Sequence, residues 1–223
     1  IKPVKVRSDV YELIERSIRL SKITGGAFDI TFRGLSSFYT FDGNTHNLPL
    51  QSQIDSALNY IGYEHIHLIL PDSVYIDKPG ISIGFGAIGK GYAADKTKQL
   101  LIGKEVPGGV INASGDLTVW GHQEDGKPWM IGIANPLDKN KILYWIPIED
   151  KSVATSGNYE NFFLNDGTRY GHIINPLTGY PTIGILSVTV FSPSAELSDA
   201  MATSVFVLGV EKGMKLIEQM PGV

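Results

Sequence analysis

The stretch Ser192-Pro193-Ser194-Ala195-Glu196-Leu197-Ser198-Asp199-Ala200-Met201-Ala202-Thr203-Ser204-Val205 reads as a helix entered through a short polar turn. On that helix Asp199 and Thr203 stand four positions apart and share a face. A carboxylate and a hydroxyl so placed offer oxygen ligands to a hard cation such as magnesium, while the apolar residues around them pack inward. The same residues also fit a plainer account, in which Asp199 is an acid favoured by the helix dipole and Thr203 bonds back to a carbonyl. The rest of the chain has to choose between the two.

Working outward, His172 stands in Tyr170-Gly171-His172-Ile173-Ile174-Asn175-Pro176-Leu177-Thr178-Gly179-Tyr180-Pro181, at the end of a predicted strand and ahead of Asn-Pro and Thr-Gly turns. A histidine there can donate to a phosphate or move a proton near neutral pH. It can equally be a hydrogen-bonded structural side chain. His46, His65, His67 and His122 carry no accompanying motif, and no H-x-x-x-H or H-E-x-x-H spacing supports a histidine-bound zinc. Ala154-Thr155-Ser156-Gly157-Asn158-Tyr159 places hydroxyls after a short strand. No G-x-S-x-G elbow surrounds Ser156, which is therefore read as a ligand-binding or turn residue rather than a nucleophile.

Two further glycine-rich turns are open to a structural and a ligand-binding reading alike. Asn112-Ala113-Ser114-Gly115-Asp116 fits an Asx-type turn or the edge of a polar pocket. Gly84-Phe85-Gly86-Ala87-Ile88-Gly89-Lys90-Gly91-Tyr92 turns from a strand into a helix with Lys90 in its first turns, an arrangement that suits a phosphate. It is neither a Walker loop nor the dinucleotide fingerprint, because the G-K-[ST] ending is missing and the glycine spacing differs.

The 223 residues, 43% hydrophobic and 19% charged, suffice for one sizeable core, and the whole of 1–223 is read as a single domain in which two lobes are possible. A net charge of -4 without a long Lys/Arg run argues against nucleic acid as a partner. No apolar run reaches the length of a membrane span. The absence of cysteine excludes disulfides, thiolate zinc and iron-sulfur clusters. The chain begins at Ile1 rather than Met, so a preceding piece with any signal sequence is expected to be missing.

Periodicity predicts a helix capped by Asp9 and running to about residue 23, stopped by Gly25-Gly26, and another over 52–61. Strands are expected over 65–70 and 74–77 around Pro71-Asp72-Ser73, then over 81–85, with a helix over 88–102. Further strands follow at 109–112, 117–121, 129–134, 143–148, 152–155, 169–174 and 185–191. Helices at 195–208 and 211–219 close an α+β count dominated by antiparallel-looking strands.

Taken in order, these segments resemble the ApbE family of flavin transferases, which move FMN from FAD onto a threonine or serine of a target protein. The resemblance is carried by Gly25-Gly26-Ala27-Phe28-Asp29-Ile30-Thr31, by 86–95, 112–116 and 154–159, by His172-Ile173-Ile174-Asn175-Pro176-Leu177-Thr178-Gly179 and by Ser198-Asp199-Ala200-Met201-Ala202-Thr203. It implies an α+β, two-lobed, largely antiparallel fold related to the T-fold, with FAD in a cleft between lobes. It implies magnesium on Asp199 and Thr203, with a main-chain oxygen from the Ala87 turn. FAD is expected to contact Ala27, Phe28, Asp29, Lys90, His172 and Ile173, with Asn112, Asp116, Thr155 and Ser156 as further pocket residues.

On this resemblance His172 and Asp199 are the catalytic candidates, the nucleophile belongs to the acceptor protein, and AMP leaves. Water in place of the acceptor would make the same site an FAD pyrophosphatase, and a non-catalytic flavin carrier is the alternative from another class. The resemblance also implies the bacterial periplasm or cell envelope, on the periplasmic side of the inner membrane, with a lipid anchor conceivable on an absent N-terminal region. The segment after Thr31 departs from the family's longer loop, and Gly84 stands where an acidic side chain is common.

Overall fold

The computed structural model describes residues 2–159 and 161–223 and divides into two compact units, residues 2–85 with 161–183 and residues 86–159 with 184–223. The first opens with β1 (Val4–Lys5) and α1 (Ser8–Ile23). Leu13, Ile14, Ser17, Leu20 and Ser21 recur at helical spacing and form the buried side of α1. Asp9 is not its N-cap. Arg7 holds that position in extended backbone, and Asp9, already inside the first turn, receives the Arg7 guanidinium at 2.6 Å and the Val10 N–H at 3.0 Å. Gly25 and Gly26 end the helix as expected, both at positive φ (62° and 85°) where a side chain would be strained.

Two short helices follow, α2 (Arg33–Ser36) and α3 (Gln51–Leu58). The latter stops short of the expected residue 61 because Tyr60 and Ile61 bond three residues back, to Ala57 and Leu58, in a tightened turn. A 3-10 turn (Tyr63–His65) leads into β2 (Ile66–Ile69) and β3 (Ser73–Ile76), antiparallel as predicted, with β1 on the far edge of β3. The strand expected over 81–85 does not form. Its backbone is irregular, and Gly84 N–H pairs with Ile30 O at 2.7 Å without a ladder around it.

In the second unit α4 (Gly89–Ile102) precedes β4 (Gly109–Ala113), β5 (Asp116–Trp120), β6 (Trp129–Asn135), β7 (Asp138–Ile148) and β8 (Ser152–Gly157). The chain returns to the first unit with the hairpin β9 (Phe162–Asn165) and β10 (Thr168–Gly171). Here β10 ends at Gly171 rather than at residue 174, so His172 lies just beyond it, its N–H bonded to Asn161 O at 3.0 Å. The second unit closes with β11 (Ser187–Ser192), α5 (Ala195–Leu208) and α6 (Val210–Ile217).

The strands β11-β8-β5-β4 form a four-stranded sheet in that order, antiparallel throughout. Val119 and Val153 pack with Ile131 and Ile148 of the β6–β7 ribbon into one core cluster. Their neighbours Thr118 and Ser152 point to the opposite face, as alternation along a strand requires. There Ser152 Oγ donates to Thr118 Oγ1 at 2.9 Å, and Ser198 Oγ on α5 reaches Ser152 O at 3.3 Å. A hydroxyl layer thus seats α5 on the sheet without leaving these buried oxygens unpaired. The core of the first unit gathers Leu35, Tyr39, Ile54, Ala57, Phe163 and Ile174, with Phe163 stacked on Tyr170 at 5.3 Å between centroids.

Candidate functional site

Ser194 takes extended backbone and its hydroxyl accepts the Leu197 N–H at 3.2 Å, so α5 starts where the sequence places it. Where α4 meets α5, a Cβ on Gly91 would lie 2.1 Å from Ala195 O, so glycine alone permits the approach. That proximity lets Gly91 N–H reach Asp199 Oδ2 at 3.2 Å. Asp199 is 4% exposed. Lys90, one residue earlier on α4, pairs with the buried Asp116 and stands 3.7 Å from Asp199 Oδ1. The site is thus two buried carboxylates sharing one ammonium.

Burial, followed by the neighbouring Asp116 charge, pushes the Asp199 carboxyl up to about 7, against the opposing pull of Lys90 and the Gly91 N–H. Thr203 does not bond back along its helix. Its hydroxyl lies 3.2 Å from Ser156 Oγ, whereas the back-bond is made by Ser204 to Ala200 O at 2.7 Å. Asp199 and Thr203 therefore both turn toward groups off their own helix. Among the described residues no group of three or more His, Asp and Glu side chains is arranged to hold a metal. The oxygen set fits magnesium on other grounds, since that ion binds through one or two carboxylates and keeps its remaining positions for water and phosphate oxygens. Ala87, half-buried, lies in the turn that leads into α4.

On the β6–β7 side of the sheet, the face opposite α5, a cavity of about 410 Å³ is lined by Asn112, Thr155, Tyr159, Leu117 and Ile133 among others, a volume in the range of small-molecule pockets. Asn112 Oδ1 caps its own turn by accepting Gly115 N–H at 2.8 Å, and Thr155 Oγ1 meets Thr189 Oγ1 at 2.9 Å. Asn158 went unremarked in the sequence as a site residue. Its Oδ1 is buried with no hydrogen-bond partner among the described residues, an acceptor that a bound donor would satisfy.

The remaining candidates belong to the first unit. Ala27 and Phe28 are buried. Asp29 turns inward: Oδ1 accepts the Thr31 N–H at 2.7 Å and hydroxyl at 2.6 Å, and Oδ2 accepts the Tyr63 N–H at 2.9 Å. His172 is exposed with Phe41 edge-on at 6.4 Å, and buried Ile173 gives its carbonyl to Thr182. The other histidines are accounted for by carboxylates. His65 and His67 share Asp77, His46 bonds Asp42 and His122 faces Glu149.

A glycine-tight helix crossing thus buries two carboxylates beside one lysine in an antiparallel α+β frame. The chain belongs to the ApbE family, whose model matches residues 1–223. It is 32% identical to the FAD:protein FMN transferase of Treponema pallidum, over 99% of this chain and 66% of that protein. With the FAD:protein FMN transferase of Escherichia coli K12 it shares 31% identity, over 98% of this chain and 64% of the relative. Against these curated relatives the chain thus spans slightly less than two thirds of their length. Among solved structures it resembles the ApbE protein of Thermotoga maritima, with a TM-score of 0.88 at 34% identity over 99% of this chain and 72% of the other. The flavin transferase ApbE from Vibrio cholerae follows with 0.87 at 29% identity, over 98% and 71%.

Proposed function

We propose that this chain carries out magnesium-dependent transfer of FMN from FAD to a threonine or serine hydroxyl of an acceptor protein, with release of AMP. The observation that carries the proposal is Asp199, buried on α5 in line with Thr203, held by Gly91 N–H and faced by Lys90, in a member of the ApbE family. Asp199 and Thr203 would hold the ion, with a main-chain oxygen from the Ala87 turn. Bound magnesium supplies charge neutralisation for the pyrophosphate and the departing AMP.

The acceptor oxygen forms a bond to the FMN phosphorus as the bond from that phosphorus to AMP breaks, and the hydroxyl proton is released. Lys90, half-exposed beside Asp116, donates to phosphate oxygens. His172 hydrogen-bonds phosphate or accepts the proton. The cavity at Asn112 and Thr155 takes part of FAD. The same proposal includes a location on the periplasmic side of the bacterial cell envelope, checked by fractionation.

The test incubates the protein with FAD, magnesium and a domain bearing an acceptor threonine, and measures AMP and the intact mass of the acceptor. An acceptor heavier by one FMN, with AMP formed only when magnesium and Asp199 are both present, supports the transferase. AMP and free FMN with an unmodified acceptor would replace it by a pyrophosphatase. FAD bound but intact would replace it by a carrier.

A further inference from the structure

We infer that Asp95 is the positioning residue that sets where α5 presents Asp199 and Thr203 to a bound cation, an inference that rests on the proposed metal-holding role of those two residues. Asp95 lies on α4, yet its carboxylate serves the start of α5: Oδ1 accepts the Ala195 N–H at 2.9 Å and Oδ2 accepts the Glu196 N–H at 2.8 Å. First-turn amides of a helix lack partners within it, and a carboxylate there also complements the helix dipole. The partner in this case comes from a different helix, so the bonds fix position as well as satisfy donors.

The grip is repeated one turn away. Gly91, four residues before Asp95 and therefore on the same face of α4, lies against Ala195 O and gives its N–H to Asp199. On α5, Ala195 and Asp199 meet α4, and Thr203 continues that row at the same spacing of four. α4 thus holds α5 at Ala195, Glu196 and Asp199, and a slide or rotation of α5 would carry Asp199 and Thr203 away together. Ser194 provides the contrast. Its hydroxyl caps the same helix through Leu197 N–H and its backbone is bonded to Ser192 Oγ of β11, so its side chain stabilises the helix without referring it to α4.

The experiment compares the intact protein with Asp95→Ala, Asp95→Asn and Ser194→Ala, using magnesium titration by calorimetry and amide exchange of Gly91 in the metal-free state, with circular dichroism as a check on folding. Asp95→Ala is expected to weaken magnesium binding by roughly 10- to 100-fold, the range seen when outer-shell partners of metal ligands are removed. Faster exchange at Gly91 should accompany it. Asp95→Asn, which keeps one acceptor oxygen, should give the smaller loss, and stands in if the alanine variant fails to fold. Ser194→Ala should leave affinity and Gly91 exchange unchanged even as the melting temperature falls. Equal losses in Asp95→Asn and Ser194→Ala, or unchanged Gly91 exchange in the Asp95 variants, would overturn the inference. A wild-type protein that binds no magnesium would instead overturn the metal-holding role, and Gly91 exchange would still decide the position of α5.

Discussion

Asp29 shows how a residue's role depends on amides far along the chain. The family resemblance alone implies that it contacts FAD. In the fold its carboxylate accepts the Thr31 N–H and hydroxyl and the Tyr63 N–H, so Asp29→Ala leaves buried donors without acceptors. A loss of about 3 kcal/mol or more is expected in urea denaturation, with Asp29→Asn milder because one oxygen remains. Asp77 gives a pH prediction. Hydrogen bonds from His67, then His65, hold its carboxyl below the usual carboxylate range. A depressed folded value means the unfolded chain takes up the proton first, so this contribution is present above the unfolded value of about 3.8 and is lost as pH falls through the folded one. The stability gap between wild type and Asp77→Asn should therefore close in acid below about pH 3.8. A gap that widens there would contradict the assignment. His65 and His67 carried no motif in the sequence because the partner that explains them lies across a hairpin.

At the scale of elements, the crossing of α4 and α5 makes the sharpest demand. Gly91→Ala places a methyl group against the Ala195 carbonyl, and the helices must part. A loss of about 2–3 kcal/mol is expected, typical of overpacking. Gly34→Ala meets open space on α2 without positive φ and should be neutral or gain about 0.4–1 kcal/mol. Thermal denaturation of the two variants side by side tests the contrast, and similar melting points would refute it. Most helices and strands were legible because burial on one face leaves a period in the sequence, as in α1 and β2–β3. The hairpin β9–β10 carried a readable signal that periodicity passes over: Asp166-Gly167, both at positive φ, joins Asn165 to Thr168 in a two-residue turn. The strand expected over 81–85 fails for the opposite reason, since local apolar composition cannot provide a neighbouring strand.

For the whole molecule, ligand binding should register as stability. Magnesium at about 100 times its dissociation constant is expected to add about 2.7 kcal/mol to unfolding, an increment abolished by Asp199→Ala and reversed by a chelator. Calorimetric scans with and without the ion check this, and equal shifts in wild type and variant would show binding elsewhere. The chain by itself determined the α+β class, most of the elements and the family, because turn chemistry, helix spacing and motif order are local properties of neighbouring residues. Only the tertiary structure decided that Asp29 faces inward, that Thr203 meets Ser156 and that Asp199 shares Lys90 with Asp116. Gly91 and Asp199 are 108 positions apart, and no period or turn signal reports a contact made by packing two helices on one sheet. The charge state and the usefulness of a buried carboxylate depend on what surrounds it, and that environment exists only once the distant segments have packed together.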